Sequence, residues 1–157
     1  MSKEVYTITQ ALDKCMKYCS YQERCQKEVR DKLTTFNLTY EQIEHVISEL
    51  IVQNFLNEER FAETFARGKF RIKGWGKKKI TLALKQKEIS EYCIRKGLIQ
   101  IEEKDYLAYL SKLIEKTYLK NKGLSEFQRT AKTAQYIIGR GYEPSMVWDE
   151  LKNYTND

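Results

Sequence analysis

The sequence predicts an all-α chain, built as an elongated tandem array of three three-helix, helix-turn-helix-like repeats. Three observations predict it. The first is a repeated apolar spacing: Leu33, Leu38, Ile43 and Ile47, then Leu84, Ile89, Ile94 and Leu98, then Ile137, Tyr142, Val147 and Leu151. Each set has offsets of 5, 10 and 14 residues, and the sets start 51 and 53 residues apart. A period of this size marks an array in which each unit buries its apolar face against the next. The second is composition. There are 7 Gly and 1 Pro in 157 residues, and 32% of residues are charged, a balance that favours helix. The third is that apolar residues return at intervals of three and four. Val29 with Leu33, Ile43 with Val46, Ile47 and Leu50, Ile80 with Leu84, and Leu107 with Leu110, Leu113 and Ile114 trace a core stripe. No strand-like alternation of useful length appears.

The elements follow from caps and breaks. Repeat 1 (1–55) is read as helices over about 9–18, 21–36 and 40–54, repeat 2 (56–100) as 58–73, 77–87 and 91–97, and repeat 3 (101–157) as 102–121, 126–139 and 144–153. Ser20 with Glu23, Thr39 with Gln42 and Ser125 with Gln128 fit capping boxes, in which two otherwise unpaired N–H groups find side-chain acceptors. Asn57 precedes Glu58 and Glu59, which suit the positive end of a helix. Ser90 is the repeat counterpart of Thr39. Pro144 suits a first helical position. Gly123 and the Gly139/Gly141 pair mark breaks. Repeats of about fifty residues bury too little surface to stand alone.

Composition also narrows function. The start, Met1 to Glu4, has no apolar stretch behind it, so no secretory leader is expected. The longest uncharged apolar stretch, Leu50 to Leu56, is far too short to span a bilayer, so a cytoplasmic protein without a membrane partner is expected. Cys15, Cys19, Cys25 and Cys93 lack the paired short spacings of a zinc site, and His45 is the one histidine. They read as small core hydrophobes, with no metal or cofactor expected. Neither Ser nor Cys has an identifiable partner base, and Gly74-Trp75-Gly76-Lys77 fails the phosphate-loop spacing. The chain is therefore read as a non-enzyme.

Charge is the strongest functional signal. The formal net charge is +6. From Thr64 to Lys87 there is no acid, and nine cations: Arg67, Lys69, Arg71, Lys73, Lys77, Lys78, Lys79, Lys85 and Lys87. The rest of the chain therefore sums to −3. No i,i+4 pairs compensate this charge. Lys77, Lys78 and Lys79 occupy the first turn of a helix, where cations oppose the macrodipole. Free N–H groups there would accept an anion. The glycines around Trp75 allow a sharp turn or close backbone approach. Phe61, Phe65 and Ile72 follow helical spacing and read as core. Trp75, in the loop, either stacks on a base or pins two helices. The expected contact surface is Arg67, Lys69, Arg71, Lys73, Trp75, Lys77, Lys78, Lys79 and Lys85. Repeat 3 adds a weaker set: Lys112, Lys116, Lys120, Lys122, Arg129, Lys132 and Arg140.

Asn54 to Ala62, then Gly74-Trp75-Gly76-Lys77-Lys78-Lys79-Ile80 and Leu84, resemble the middle repeat of RecX regulatory proteins. Ala11-Leu12, Glu23-Arg24-Cys25, Glu28-Val29 and Lys32-Leu33 resemble the first, while repeat 3 matches by helical pattern only. Cys25 stands where a Ser is usual, Glu88 where a Gly is common, and Glu58 or Glu59 where Asp is frequent. The resemblance implies a non-enzymatic modulator of the RecA recombinase, with a role in DNA recombination, DNA repair and the SOS response. It implies binding in the groove of the RecA–DNA filament, mainly as an inhibitor, by a monomer. Single- or double-stranded DNA would be met without regard to sequence, because Lys is a point charge suited to phosphates. The alternative is a stand-alone helix-turn-helix-type nucleic-acid-binding protein reading bases through the helix from Lys77. Base readout favours Arg, Asn and Gln over this lysine cluster.

Overall fold

The computed structural model describes residues 5–156. Met1 to Glu4, read above for the absence of a leader, lie outside them. Among the described residues every regular element is helical: α1 (Ile8–Tyr21), α2 (Gln26–Leu33) with a 3-10 turn (Thr34–Phe36), α3 (Tyr40–Val52), α4 (Glu58–Arg71), α5 (Lys77–Gln86), α6 (Glu91–Ile99), α7 (Glu103–Lys120), α8 (Glu126–Gly139) and α9 (Pro144–Asn156). None is long and apolar enough to cross a membrane.

The repeat pattern is the core. Ten of the twelve repeat positions are buried, while Leu38 and Leu98 are half-buried. The backbone repeats as well. The residue before the second position of each set, Asn37, Glu88 and Gly141, lies in the left-handed region, with φ of 56°, 61° and 101°. The helix before it stops there, and the apolar side chain that follows is turned back onto the core. Glu88 carries a Cβ where the conformation favours glycine. Its side chain is exposed and makes no ion pair among the described residues. Glu88→Gly should therefore stabilise the fold by about 1 kcal/mol, seen as a raised urea midpoint; an unchanged or lowered midpoint would contradict this.

The chain packs as two compact units, Met1–Thr64 with Leu84–Gly97, and Phe65–Ala83 with Leu98–Asp157. In the first, α1 and α2 pack on α3, enclosing Ala11, Cys15, Val29, Leu33, Val46 and Leu50. Burial pushes the Cys15, Cys19 and Cys25 thiols up to about 11, so they stay neutral and act as small hydrophobes. Arg60, at the start of α4, braces this unit: Nε donates to Glu23 Oε1 at 2.7 Å, Nη1 to Asn54 Oδ1 at 3.2 Å, and Nη2 to the Asn54 carbonyl at 2.9 Å. Gly97 sits against the Ala62 backbone, where a Cβ would meet the carbonyl oxygen at 2.6 Å. In the second unit α7, α8 and α9 pack pairwise over Leu110, Ile114, Ile137, Val147 and Leu151.

Several local expectations hold, and some are corrected. Thr39 and Gln42 exchange both capping hydrogen bonds, at 2.9 and 3.2 Å. Asn57, Ser90 and Ser125 each accept a first-turn N–H, and Pro144 opens α9. The Ser20–Glu23 cap is wrong: α1 runs through Ser20, whose hydroxyl donates to the Met16 carbonyl at 2.7 Å. The second helix begins five residues later than expected, after Cys25, whose N–H donates to Glu28 Oε1 at 3.1 Å. Ile72, read as core, is 81% exposed, because the chain leaves α4 at Arg71 before that position can face inward. Leu107 is exposed, while its neighbour Tyr106 is fully buried.

Candidate anion-binding face

The basic segment of the second unit is the C-terminal half of α4, the loop 72–76 and the start of α5. Helix α4 has Glu58 and Glu59 in its first turn and Lys69 and Arg71 in its last, the order its macrodipole favours. It ends in a left-handed turn at Gly74, φ 67°, with the Trp75 N–H donating to the Lys69 carbonyl at 3.0 Å. The loop is then clamped by residues from repeat 3. The Gly76 N–H donates to the Arg140 carbonyl at 2.9 Å, and the Lys78 N–H to the Gly141 carbonyl at 2.8 Å. The Lys77 N–H donates to Tyr106 Oη at 3.0 Å. The Tyr142 hydroxyl donates to the Gly74 carbonyl at 3.0 Å, and Arg140 Nη2 to the Lys73 carbonyl.

One expectation is thereby corrected. The N–H groups at the start of α5 were read as open to an anion, but those of Lys77 and Lys78 have protein acceptors. These two donors are therefore not free for an anion. The glycines are explained by the same packing. Gly76 lies so close to Gly141 that a Cβ would fall inside the van der Waals envelope of the Gly141 carbonyl and the Tyr142 nitrogen.

The expected contact residues separate by what their charges do. Arg67 is half-buried, with Nη1 donating to Gln100 Oε1 at 3.2 Å. Lys77 is half-buried, with Nζ 3.5 Å from Glu103 Oε2 and 4.6 Å from the Tyr106 ring centre. Its cation, placed against the dipole, has a carboxylate partner 26 residues away. Arg71, Lys73 and Lys78 are exposed. Trp75 is half-buried, with Phe65 edge-on at 6.5 Å between ring centres. The ammonium groups of Lys69 and Lys79 stand 4.9 and 4.6 Å from the Trp75 ring centre. Lys85 is exposed and belongs to the other compact unit. Of the repeat 3 set, Arg129 lies on the Tyr118 ring and Arg140 on the Lys73 carbonyl, while the five lysines are exposed.

The aromatic support of this face was not read from the sequence. Tyr106 and Tyr142 stack at 5.1 Å, Phe70 lies 5.7 Å from Tyr106, and Tyr109 completes the group 6.4 Å from Tyr142. The Tyr106 hydroxyl donates to Glu143 Oε1 at 2.6 Å while accepting from Lys77. Burial first, and the Glu143 carboxylate second, raise its pKa well above the usual phenol value. It stays protonated and keeps both bonds. The available signal was Tyr142 itself, which occupies a repeat position filled elsewhere by Leu38 and Ile89. Among the described residues no three His, Cys, Asp or Glu side chains are grouped to hold a metal ion.

Comparison with known proteins gives consistent matches. Family models for the first, second and third three-helix domains of RecX match residues 11–50, 57–98 and 103–151. The chain is 31% identical over 136 residues to the regulatory protein RecX of Clostridium perfringens (strain SM101 / Type A), covering 85% of this chain and 63% of that protein. It is 31% identical over 135 residues to the regulatory protein RecX of Streptococcus uberis, covering 83% of this chain and 50% of that protein. The chain thus spans between half and about two thirds of these relatives' length. The crystal structure of RecX from Lactobacillus salivarius superimposes with a TM-score of 0.86 at 25% identity, covering 96% of this chain and 97% of that one.

Proposed function

Because the chain belongs to the RecX family, we propose that it is a non-enzymatic regulator that binds the RecA–DNA filament and lowers its ATPase and recombinase activity. The basic face of the middle repeat is the contact surface. The observation that supports this most is how charge divides between the compact units. Phe65–Ala83 with Leu98–Asp157 holds 16 cationic and 9 acidic side chains, a formal +7, whereas the other unit holds 12 and 13, a formal −1. A sequence-independent polyanion, or a filament groove lined by phosphates and acidic side chains, complements such a surface. The residues of this unit that meet it are Lys69, Arg71, Lys73, Trp75, Lys78 and Lys79; Arg67 and Lys77 are tied partly to Gln100 and Glu103. In this reading repeats 1–55, 56–100 and 101–157 belong to one monomeric, cytoplasmic chain.

The test is the single-strand-stimulated ATPase of RecA from the same organism, with the protein added below stoichiometry, beside K77A/K78A/K79A. The expected result is loss of ATPase with wild type and relief in the variant, whose helical signal is retained. An unaffected ATPase alongside binding to bare DNA would instead favour a stand-alone nucleic-acid binder.

A further inference from the structure

We propose that Lys69, Trp75 and Lys79 form a clamp for the phosphodiester backbone of nucleic acid, in which the indole holds two ammonium groups and does not stack on a base. This deepens the reading above and rests on its nucleic-acid contact.

The repeats supply an internal comparison. In repeat 1 the Arg24 guanidinium lies 3.7 Å from the Tyr18 ring centre, and its Nε donates to the Tyr18 carbonyl at 3.1 Å. In repeat 3 the Arg129 guanidinium lies 3.7 Å from the Tyr118 ring, and its Nε donates to the Tyr118 carbonyl at 2.7 Å. Both pairs sit where the first helix of a repeat gives way to the second, and both arginines are bound into the fold. The middle repeat has an aromatic residue at the same junction, Trp75, but a different cation set. Two lysines, one from α4 and one from α5, stand within 5 Å of its ring centre. Among the described residues neither ammonium makes a hydrogen bond or an ion pair.

The chemistry follows from that substitution. Attraction to the ring face holds an ammonium without consuming any of its three N–H donors. Two like charges gathered on one ring repel each other, and no acid lies between Thr64 and Lys87 to offset them. An anion between them removes the repulsion and takes the donors. Lysine ammonium suits phosphate as a point charge and reads no base. Exposed Arg71, Lys73 and Lys78 extend the same charge along the chain, which fits a strand carrying a charge every few ångströms better than one carboxylate. With cations on its ring, Trp75 is poorly placed to offer a face to a base.

The experiment measures binding of fluorescein-labelled oligo(dT), and of an abasic strand of equal length, across a salt series without RecA. Wild type should bind both strands within about twofold, since a stacked base is worth roughly tenfold or more. K69A/K79A should lower the salt slope of log K by about 1.4, or about 0.7 per lost single-strand phosphate contact. K14A/K17A removes the same charge from exposed α1 and should leave the slope unchanged. In a Trp148→Phe background, Trp75 emission should respond equally to both strands. A preference for oligo(dT) of tenfold or more, or an unchanged slope in K69A/K79A, would overturn the clamp. So would an equal loss of slope in K14A/K17A. If K69A/K79A keeps oligonucleotide binding but loses RecA ATPase inhibition, the pair meets protein, so the clamp fails and the regulator reading survives. If the slopes behave as stated but wild type leaves the ATPase unaffected, the clamp stands and the regulator reading fails.

Discussion

Gly76→Ala should destabilise the second compact unit by about 3–5 kcal/mol. The added Cβ meets backbone, the Gly141 carbonyl and the Tyr142 nitrogen, so no rotamer change can relieve the clash. Separating the two turns would also break the Gly76 bond to the Arg140 carbonyl and the Lys78 bond to the Gly141 carbonyl. Each donor left buried without an acceptor costs roughly 1–3 kcal/mol. Gly68→Ala is the control. Nothing lies within 4 Å of a Cβ there, and the position is inside α4, so it should gain about 1 kcal/mol through helix propensity. Urea unfolding of the two variants beside wild type checks both signs. A wild-type midpoint for Gly76→Ala would mean that the two turns are not in contact.

Arg60→Ala should cost the first compact unit about 2–4 kcal/mol. Its guanidinium holds Glu23 and the Asn54 side chain and carbonyl at once. Removing it leaves the Glu23 carboxylate, whose Oε2 is already buried without a hydrogen-bond partner, with no ion pair among the described residues. Breaking a buried pair costs about 3–5 kcal/mol. The figure is reduced here because the two side chains are 35% and 24% exposed and solvent screens them. Arg60→Lys should recover little, since an ammonium cannot reproduce the planar fork. Thermal unfolding checks this, and recovery by lysine would show that charge alone matters.

How much of this was legible depends on how far apart the partners lie. The core was legible because its signal is periodic: one spacing, repeated three times, fixes ten buried positions. Caps were legible where donor and acceptor are three residues apart and chemically suited, as at Thr39. They failed at Ser20, because a Ser-x-x-Glu match cannot say whether the preceding helix has ended. Cys25 hid the true start because a thiol is not an expected cap. Ile72 was misplaced because helical periodicity cannot see that α4 stops at Arg71. The basic face was legible as an inventory of charges, not as an arrangement. Glu103 beside Lys77, Tyr106 on its N–H and Gly141 on the N–H of Lys78 come from 26 to 63 residues away. No local pattern announces such pairs.

The support of the basic loop has a genetic consequence. Lys69, Trp75 and Lys79 are encoded before residue 100, while Tyr106, Arg140, Gly141 and Tyr142, which fix the turn they stand on, are encoded after it. A stop codon following repeat 2 would leave a product with every charge of the central segment and none of the scaffold that arranges them. The third repeat would then be where alleles accumulate that disarrange the basic loop without altering one of its charges.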